Sequence, residues 1–212
     1  MPNPPRFRIF HVPGTRSMRV LWLCAELGEP LDVVPIDFGR DYRFSPEWLA
    51  RNPVGKVPAM EVDGFTIFES GAMVEAILDR VDAARGTRSP LRPAAGSDAH
   101  ALCMQWSWFA EATFARPLGD IAQHTRIKPP AERIPAVVED ASARAWLCLD
   151  ALEPLLARQP FLLAEGFGAA DIMMGYSMML ARNFGLLDDT RPHCQAYFAR
   201  LAARPGFATA MG

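Results

Sequence analysis

The chain of 212 residues has only four cysteines, Cys24, Cys103, Cys148 and Cys194, and no two of them form a C-x-x-C pair. That spacing suggests neither a dithiol redox centre nor a metal site, and sparse, scattered thiols point to a reducing, cytoplasmic setting. Neither sign of charge is in excess. With 22 Lys and Arg against 24 Asp and Glu, the net charge is −2 and the pI about 6.1, so there is no basic footprint for nucleic acid. No window approaches the roughly 18–20 apolar residues of a membrane span. The opening Met-Pro-Asn-Pro-Pro-Arg has no apolar signal core, which argues against secretion. Ile172 to Leu180 is the longest candidate span; it is too short, is headed by Asp171, and reads as a buried core helix. His11, His100, His124 and His193 show neither H-x-x-x-H spacing nor triad-like neighbours. Structural or surface roles are expected for them and no metal site, with His11, beside the first loop, the one to test.

Half of the residues are apolar, enough for a sizeable core in one large or two small domains. Phe7 to Phe10 alternates as a strand, Ser17 to Leu27 has helical spacing, Leu31 to Ile36 is strand-like, and a helix is expected over about Ser70 to Val81. Between about Ala83 and Ser97 Ala, Gly, Arg, Ser and Pro displace the periodic apolar residues, which marks a linker. Beyond it Leu102, Trp106, Phe109 and Ala110, then Ala145, Leu149, Leu152 and Leu156, keep helical spacing. Pro129-Pro130, Gly185 and Arg191-Pro192 break the helices apart. Residues 5–83 are therefore read as a mixed α/β domain, 84–96 as the linker and 97–212 as an all-helical domain.

Residues 52–71 carry the most information. Val57-Pro58 precedes an alternating run, Asp63-Gly64 supplies a tight hairpin turn into Phe65, Ile67 and Phe68, and Glu69-Ser70 follows where a helix begins. A cis Val57-Pro58 bond just before a strand would present the N–H and C=O of Val57 to an extended ligand. Ser70 and the first amides of the helix suit a carboxylate, and Glu69 suits an ammonium group. An α-amino acid head carries both charges. Taken singly, Ser70 reads as a helix N-cap and Pro58 as a strand-start proline; their order and spacing together favour a socket for a small zwitterionic peptide.

This arrangement resembles the glutathione site of the glutathione transferase family, and the resemblance runs from about Phe7 to Phe207. A bacterial-type, serine/theta-like member is expected. The resemblance implies a thioredoxin-like α/β domain followed by an all-α domain, glutathione as co-substrate, a homodimer, and no metal. It implies that Val57, before Pro58, pairs with the cysteinyl backbone and that Glu69 and Ser70 hold the γ-glutamyl head. Lys56 and Arg43 are candidates for the glycyl carboxylate.

Activation of the thiol falls to the segment His11 to Trp22. Lowering a thiol pKa from about 8.5 by roughly two units needs about 2.7 kcal/mol. A hydrogen bond to the anion supplies about 1.5–3 kcal/mol and a helix N-terminus about 0.3–1 more, so no general base is required. The position of the serine in serine-type members falls on Gly14, which has no side chain. Thr15 and Ser17 are the nearest hydroxyls, with Thr15 placed first, and Arg16 is a charge that could stabilise a thiolate. The structural alternative is that Thr15 caps the helix, Ser17 lies in its first turn and Arg16 is solvated.

In the second domain Trp106, Phe109 and Thr113 share a face at i, i+3 and i+7, which by spacing alone reads equally as core or interface; the resemblance makes that helix the wall of an apolar pocket for an electrophile. Phe167 to Ile172 resembles the family's buried N-capping box, with Gly168 in the hydroxyl position, so only the Asp171 half of the cap is expected. Three functions compete: a glutathione transferase, a non-catalytic binding or scaffold module of the same fold, and a thiol-disulfide oxidoreductase. The last is disfavoured because no cysteine occupies the strand-to-helix loop.

Overall fold

In the computed structural model, which describes residues 6–211, the alternation of Phe7, Arg8 and Ile9 becomes strand β1 (Phe7–His11), with Phe7 and Ile9 buried and Arg8 exposed. Helix α1 (Met18–Leu27) carries the chain over to β2 (Leu31–Pro35), which pairs parallel to β1, as a crossover of this kind allows. Gly28 ends α1 in the left-handed region (φ 67°), with its own N–H and that of Glu29 returning to the carbonyls of Ala25 and Cys24. Two short helices, α2 (Arg40–Arg43) and α3 (Pro46–Leu49), lead to β3 (Ala59–Val62) and β4 (Phe65–Phe68). Asp63 and Gly64 both take positive φ, 49° and 85°, which matches their hairpin to the right-handed strand twist. The sheet order is β2-β1-β3-β4. Helix α4 (Ser70–Arg85) follows and runs one turn beyond the expected end, where Arg85 donates to the carbonyl of Leu27 and pairs with Glu29.

Two units emerge, residues 1–92 with 203–212 and residues 93–202. The expected boundaries at residues 5 and 212, like the opening hexapeptide as far as residue 5, lie outside the described residues. The division differs from the expected 84–96 linker in two ways. Arg92 ties that segment to α4 through Glu75, Asp79 and Asp82. The chain end also returns to the first unit. There α10 (Pro205–Met211) packs on α1, Phe207 meets Trp22 edge-on at 5.1 Å, and Gly206 approaches so closely that a Cβ would lie 2.8 Å from the Trp22 ring. Arg204 clasps Glu26 through two hydrogen bonds.

The second unit contains α5 (Asp98–Trp108), α6 (Ala115–Ala122), α7 (Pro135–Leu156), α8 (Ala169–Asn183) and α9 (Pro192–Ala202), with π-helical turns at Phe109–Phe114 and Gln123–Ile127. Helix α8 is buried almost all round, as the run Ile172 to Leu180 implied. Asp171 is fully buried at its start, accepting from the N–H groups of Gly168 (2.9 Å) and Leu162 (3.0 Å) and from the Tyr197 hydroxyl (2.8 Å). These bonds satisfy a helix start and a loop, which is a folding role.

Candidate functional site

The register sets the site. Phe10 of β1 faces Ala59 of β3, which faces Phe68 of β4. One step beyond that row, at one end of the sheet, the chain leaves β1 for the loop to α1, enters β3 from Pro58, and leaves β4 at Glu69. Three separate segments of the chain are thereby brought side by side.

In the loop after β1, Gly14 takes φ 71°, a region that L side chains rarely adopt, and this is why no hydroxyl stands there. Thr15 is half-buried and its Oγ1 donates to the Val12 carbonyl at 2.8 Å. Ser17 is fully buried; its Oγ lies 2.9 Å from Thr15 Oγ1, 2.7 Å from His11 Nδ1 and 3.2 Å from the Val12 carbonyl. Burial lowers the His11 pKa below its ordinary value, so the imidazole is held neutral. Neither hydroxyl caps α1 in the usual way: the cap residue is Ser17 in a helical conformation without a side-chain cap bond. Arg16 is half-buried.

The Val57-Pro58 bond is cis. Its loop is braced on several sides: Trp48 Nε1 donates to the Lys56 carbonyl at 3.1 Å, Asn52 Nδ2 to the Pro58 carbonyl at 3.3 Å, and Arg43 Nη1 to the Gly55 carbonyl at 3.1 Å. Arg43 also donates to the Phe38 carbonyl and stacks on the Phe38 ring, so its guanidinium is spent on the loops. The Val57 side chain packs with Phe10, Trp48 and Ala59, while its N–H and C=O have no hydrogen-bond partner among the described residues. Lys56 is exposed.

Glu69 is exposed, with φ 73° and ψ 110°, an outlier for a residue with a Cβ. The next residue, Ser70, is buried at the start of α4, and its Oγ accepts a hydrogen bond from Arg19 Nη1 at 2.9 Å. Arg19 is itself fully buried. Sequence reasoning missed Arg19, Asn52 and Trp48. A lone arginine within the apolar run Met18 to Cys24 is the signal that marks the first; nothing local marks the other two.

On the second unit Trp106 and Phe109 meet edge-on at 5.3 Å and are half-buried. Thr113 is exposed. The turn that carries Thr113 is π-helical and holds more residues per turn than the straight helix that the i, i+3, i+7 spacing assumes. All four cysteines are buried and none forms a disulfide. Burial pushes the Cys24 thiol up to about 12, reinforced by Glu29, and the Cys148 thiol up to about 11 against the opposing Arg144 charge. Burial, with a hydrogen bond to Glu153, also raises Cys194. Such thiols are poor nucleophiles. No metal-ligand cluster of three or more His, Cys, Asp or Glu occurs among the described residues, and no helix there is long and apolar enough to cross a membrane.

Residues 5–78 match the family model of the glutathione S-transferase N-terminal domain. Over 196 residues the chain is 29% identical to glutathione S-transferase 3 of Zea mays, covering 90% of this chain and 86% of that protein. It is 27% identical over 194 residues to glutathione S-transferase F13 of Arabidopsis thaliana, covering 89% and 87%. The structure of glutathione transferase URE2P8 from Phanerochaete chrysosporium, solved with oxidized glutathione, superposes with a TM-score of 0.84 at 25% identity over 99% of this chain and 95% of that one. The two sequence relatives are plant proteins, so the expected bacterial-type, serine/theta-like subtype finds no support.

Proposed function

We propose that this chain, a member of the glutathione transferase family, ionises glutathione and directs the thiolate at an apolar electrophile. The observation that carries the reading is the row of unmet hydrogen-bonding capacity at one end of the sheet. Val57 offers a backbone donor and acceptor with no partner in the described chain, as an extended peptide requires. Ser70 and the amides that open α4 take the γ-glutamyl carboxylate, and Glu69 takes the ammonium. Lys56 reaches for the glycyl carboxylate, and Arg43 acts through the loop it braces. The backbone outlier at Glu69 fits a binding role, since a strained residue persists where its placement is used.

Thr15 is the leading thiol donor because the residue is only half-buried, whereas Ser17 is enclosed and Arg16 is assigned a supporting charge. The reaction needs no metal: sulfur is ionised by a hydrogen bond and by the start of α1, and attacks carbon as the leaving group departs. Trp106, Phe109 and Thr113 are proposed to contribute to the apolar wall for the electrophile. Isomerisation, reduction or dehalogenation would use the same thiolate. Four buried cysteines, none of them in a disulfide, support a reducing, cytoplasmic setting. Exposed Phe65 and Phe68 on the edge strand β4 support a homodimer.

The alternative is a scaffold that retains the socket without catalysis; the loss of the usual serine at Gly14 favours it. Glutathione conjugation to an activated aryl halide decides between them. The proposal expects saturable, enzyme-dependent conjugation, and binding of glutathione with no conjugation of any electrophile in a panel would select the scaffold.

A further inference from the structure

A hydroxyl has one hydrogen to give, and that restriction orders the cluster behind Thr15. His11 Nδ1, Ser17 Oγ and Thr15 Oγ1 stand in a chain of 2.7 and 2.9 Å contacts that ends on the Val12 carbonyl, 2.8 Å from Thr15. If Nδ1 carries no hydrogen, it takes the one on Ser17. Thr15 must then supply the hydrogen between the two hydroxyls, and has none to offer elsewhere. If Nδ1 carries the hydrogen, it donates to Ser17, Ser17 donates to Thr15 at 2.9 Å, the nearer of its two acceptors beside the Val12 carbonyl at 3.2 Å, and Thr15 is left with its own hydrogen to direct. At rest that hydrogen goes to the Val12 carbonyl. When a thiolate arrives only the Thr15 hydrogen has to turn, because the Val12 carbonyl keeps the backbone N–H of Thr15 at 3.3 Å.

We propose that His11, as an Nδ1–H donor, is a positioning residue that orients the Ser17–Thr15 hydroxyl pair so that the Thr15 hydrogen is available to the glutathione sulfur. The inference rests on Thr15 being the thiol donor. Aligned donors also polarise one another, which strengthens the last bond of the chain. Ser17 is thereby a relay and not a rival to Thr15, and its complete burial is what the relay requires.

The test titrates the thiolate absorbance of bound glutathione in the parent and in the Thr15→Ala, His11→Phe and His11→Asn variants. His11→Phe keeps the bulk and removes the donor. It should raise the bound thiol pKa and reduce turnover at neutral pH by about fivefold, with the KM for glutathione little changed. His11→Asn returns an amide N–H to the same place and should recover most of the loss. If Thr15→Ala raises the thiol pKa and His11→Phe does not, the inference fails while the function proposed above stands. If Thr15→Ala titrates like the parent, the assignment of Thr15 fails and takes the inference with it. Should His11→Phe not fold, nitrogen NMR of the parent protein with glutathione bound decides: a protonated Nδ1 and bare Nε2 on His11 support the relay, and a bare Nδ1 overturns it.

Discussion

Arg19 Nη1 donates to Ser70 Oγ across 2.9 Å, from 51 residues away in the chain, and both residues are buried. A cationic donor on the Ser70 oxygen leaves the single hydroxyl hydrogen of that residue for an outside acceptor, and polarises it. Ser70→Ala should therefore weaken glutathione binding by about 1–3 kcal/mol, and Arg19→Met should weaken it as well. Calorimetric titration with glutathione checks both, and parental affinity in the two variants would remove Ser70 from the γ-glutamyl assignment.

Glu69 carries strain and a proposed contact at once, which allows them to be separated. Glu69→Gly relieves the positive φ of 73° and should stabilise the fold by about 1 kcal/mol. Losing the carboxylate should weaken glutathione binding in the same variant. Urea unfolding and calorimetry together read the two effects, and a variant that is more stable and binds as well as the parent would deny Glu69 its ligand.

The clasp of Arg204 on Glu26, at 2.8 and 2.7 Å, holds α10 on α1. Burial alone would raise the Glu26 pKa, but hydrogen bonds from Arg204 and Trp22 outweigh it and hold the carboxyl below its ordinary value. A lowered folded pKa contributes stability that is complete above the unfolded value of about 4.3 and fades as pH falls through the folded one. Arg204→Ala should thus cost about 1–3 kcal/mol at neutral pH, with the gap from the parent closing below about pH 4. Denaturant unfolding across that range tests the sign; a gap independent of pH would show that the pair acts by packing alone.

Phe65 and Phe68 are 60% and 39% exposed on β4, one of the two edge strands of the sheet. If a second copy covers them, light scattering at micromolar concentration should give a dimer mass and Phe65→Asp should shift it toward the monomer. A monomeric parent would contradict the assembly.

What could be read from the sequence was local. Asp63-Gly64 announced its hairpin because two successive positive φ angles favour those residue types, and Val57-Pro58 and Glu69-Ser70 stood close enough in the chain to be seen as one arrangement. The Arg19–Ser70 and Glu26–Arg204 bonds join residues far apart, and no periodicity encodes them. Composition showed where helices lay in residues 97–212, yet it could not show that Arg204 and Phe207 return to α1. The π turn at Phe109–Phe114 was not legible either, because it leaves no mark in a pattern read at 3.6 residues per turn. Gly14 looked like a missing side chain; its φ of 71° makes it a backbone requirement that moves the first available hydroxyl to Thr15.

The most direct measurement is the ultraviolet titration of glutathione thiolate in the presence of saturating protein. The account predicts a bound thiol pKa about two units below the free value near 8.5, so that most bound glutathione is thiolate at neutral pH. A bound thiol that titrates at the free value, or glutathione that does not bind at all, would contradict it.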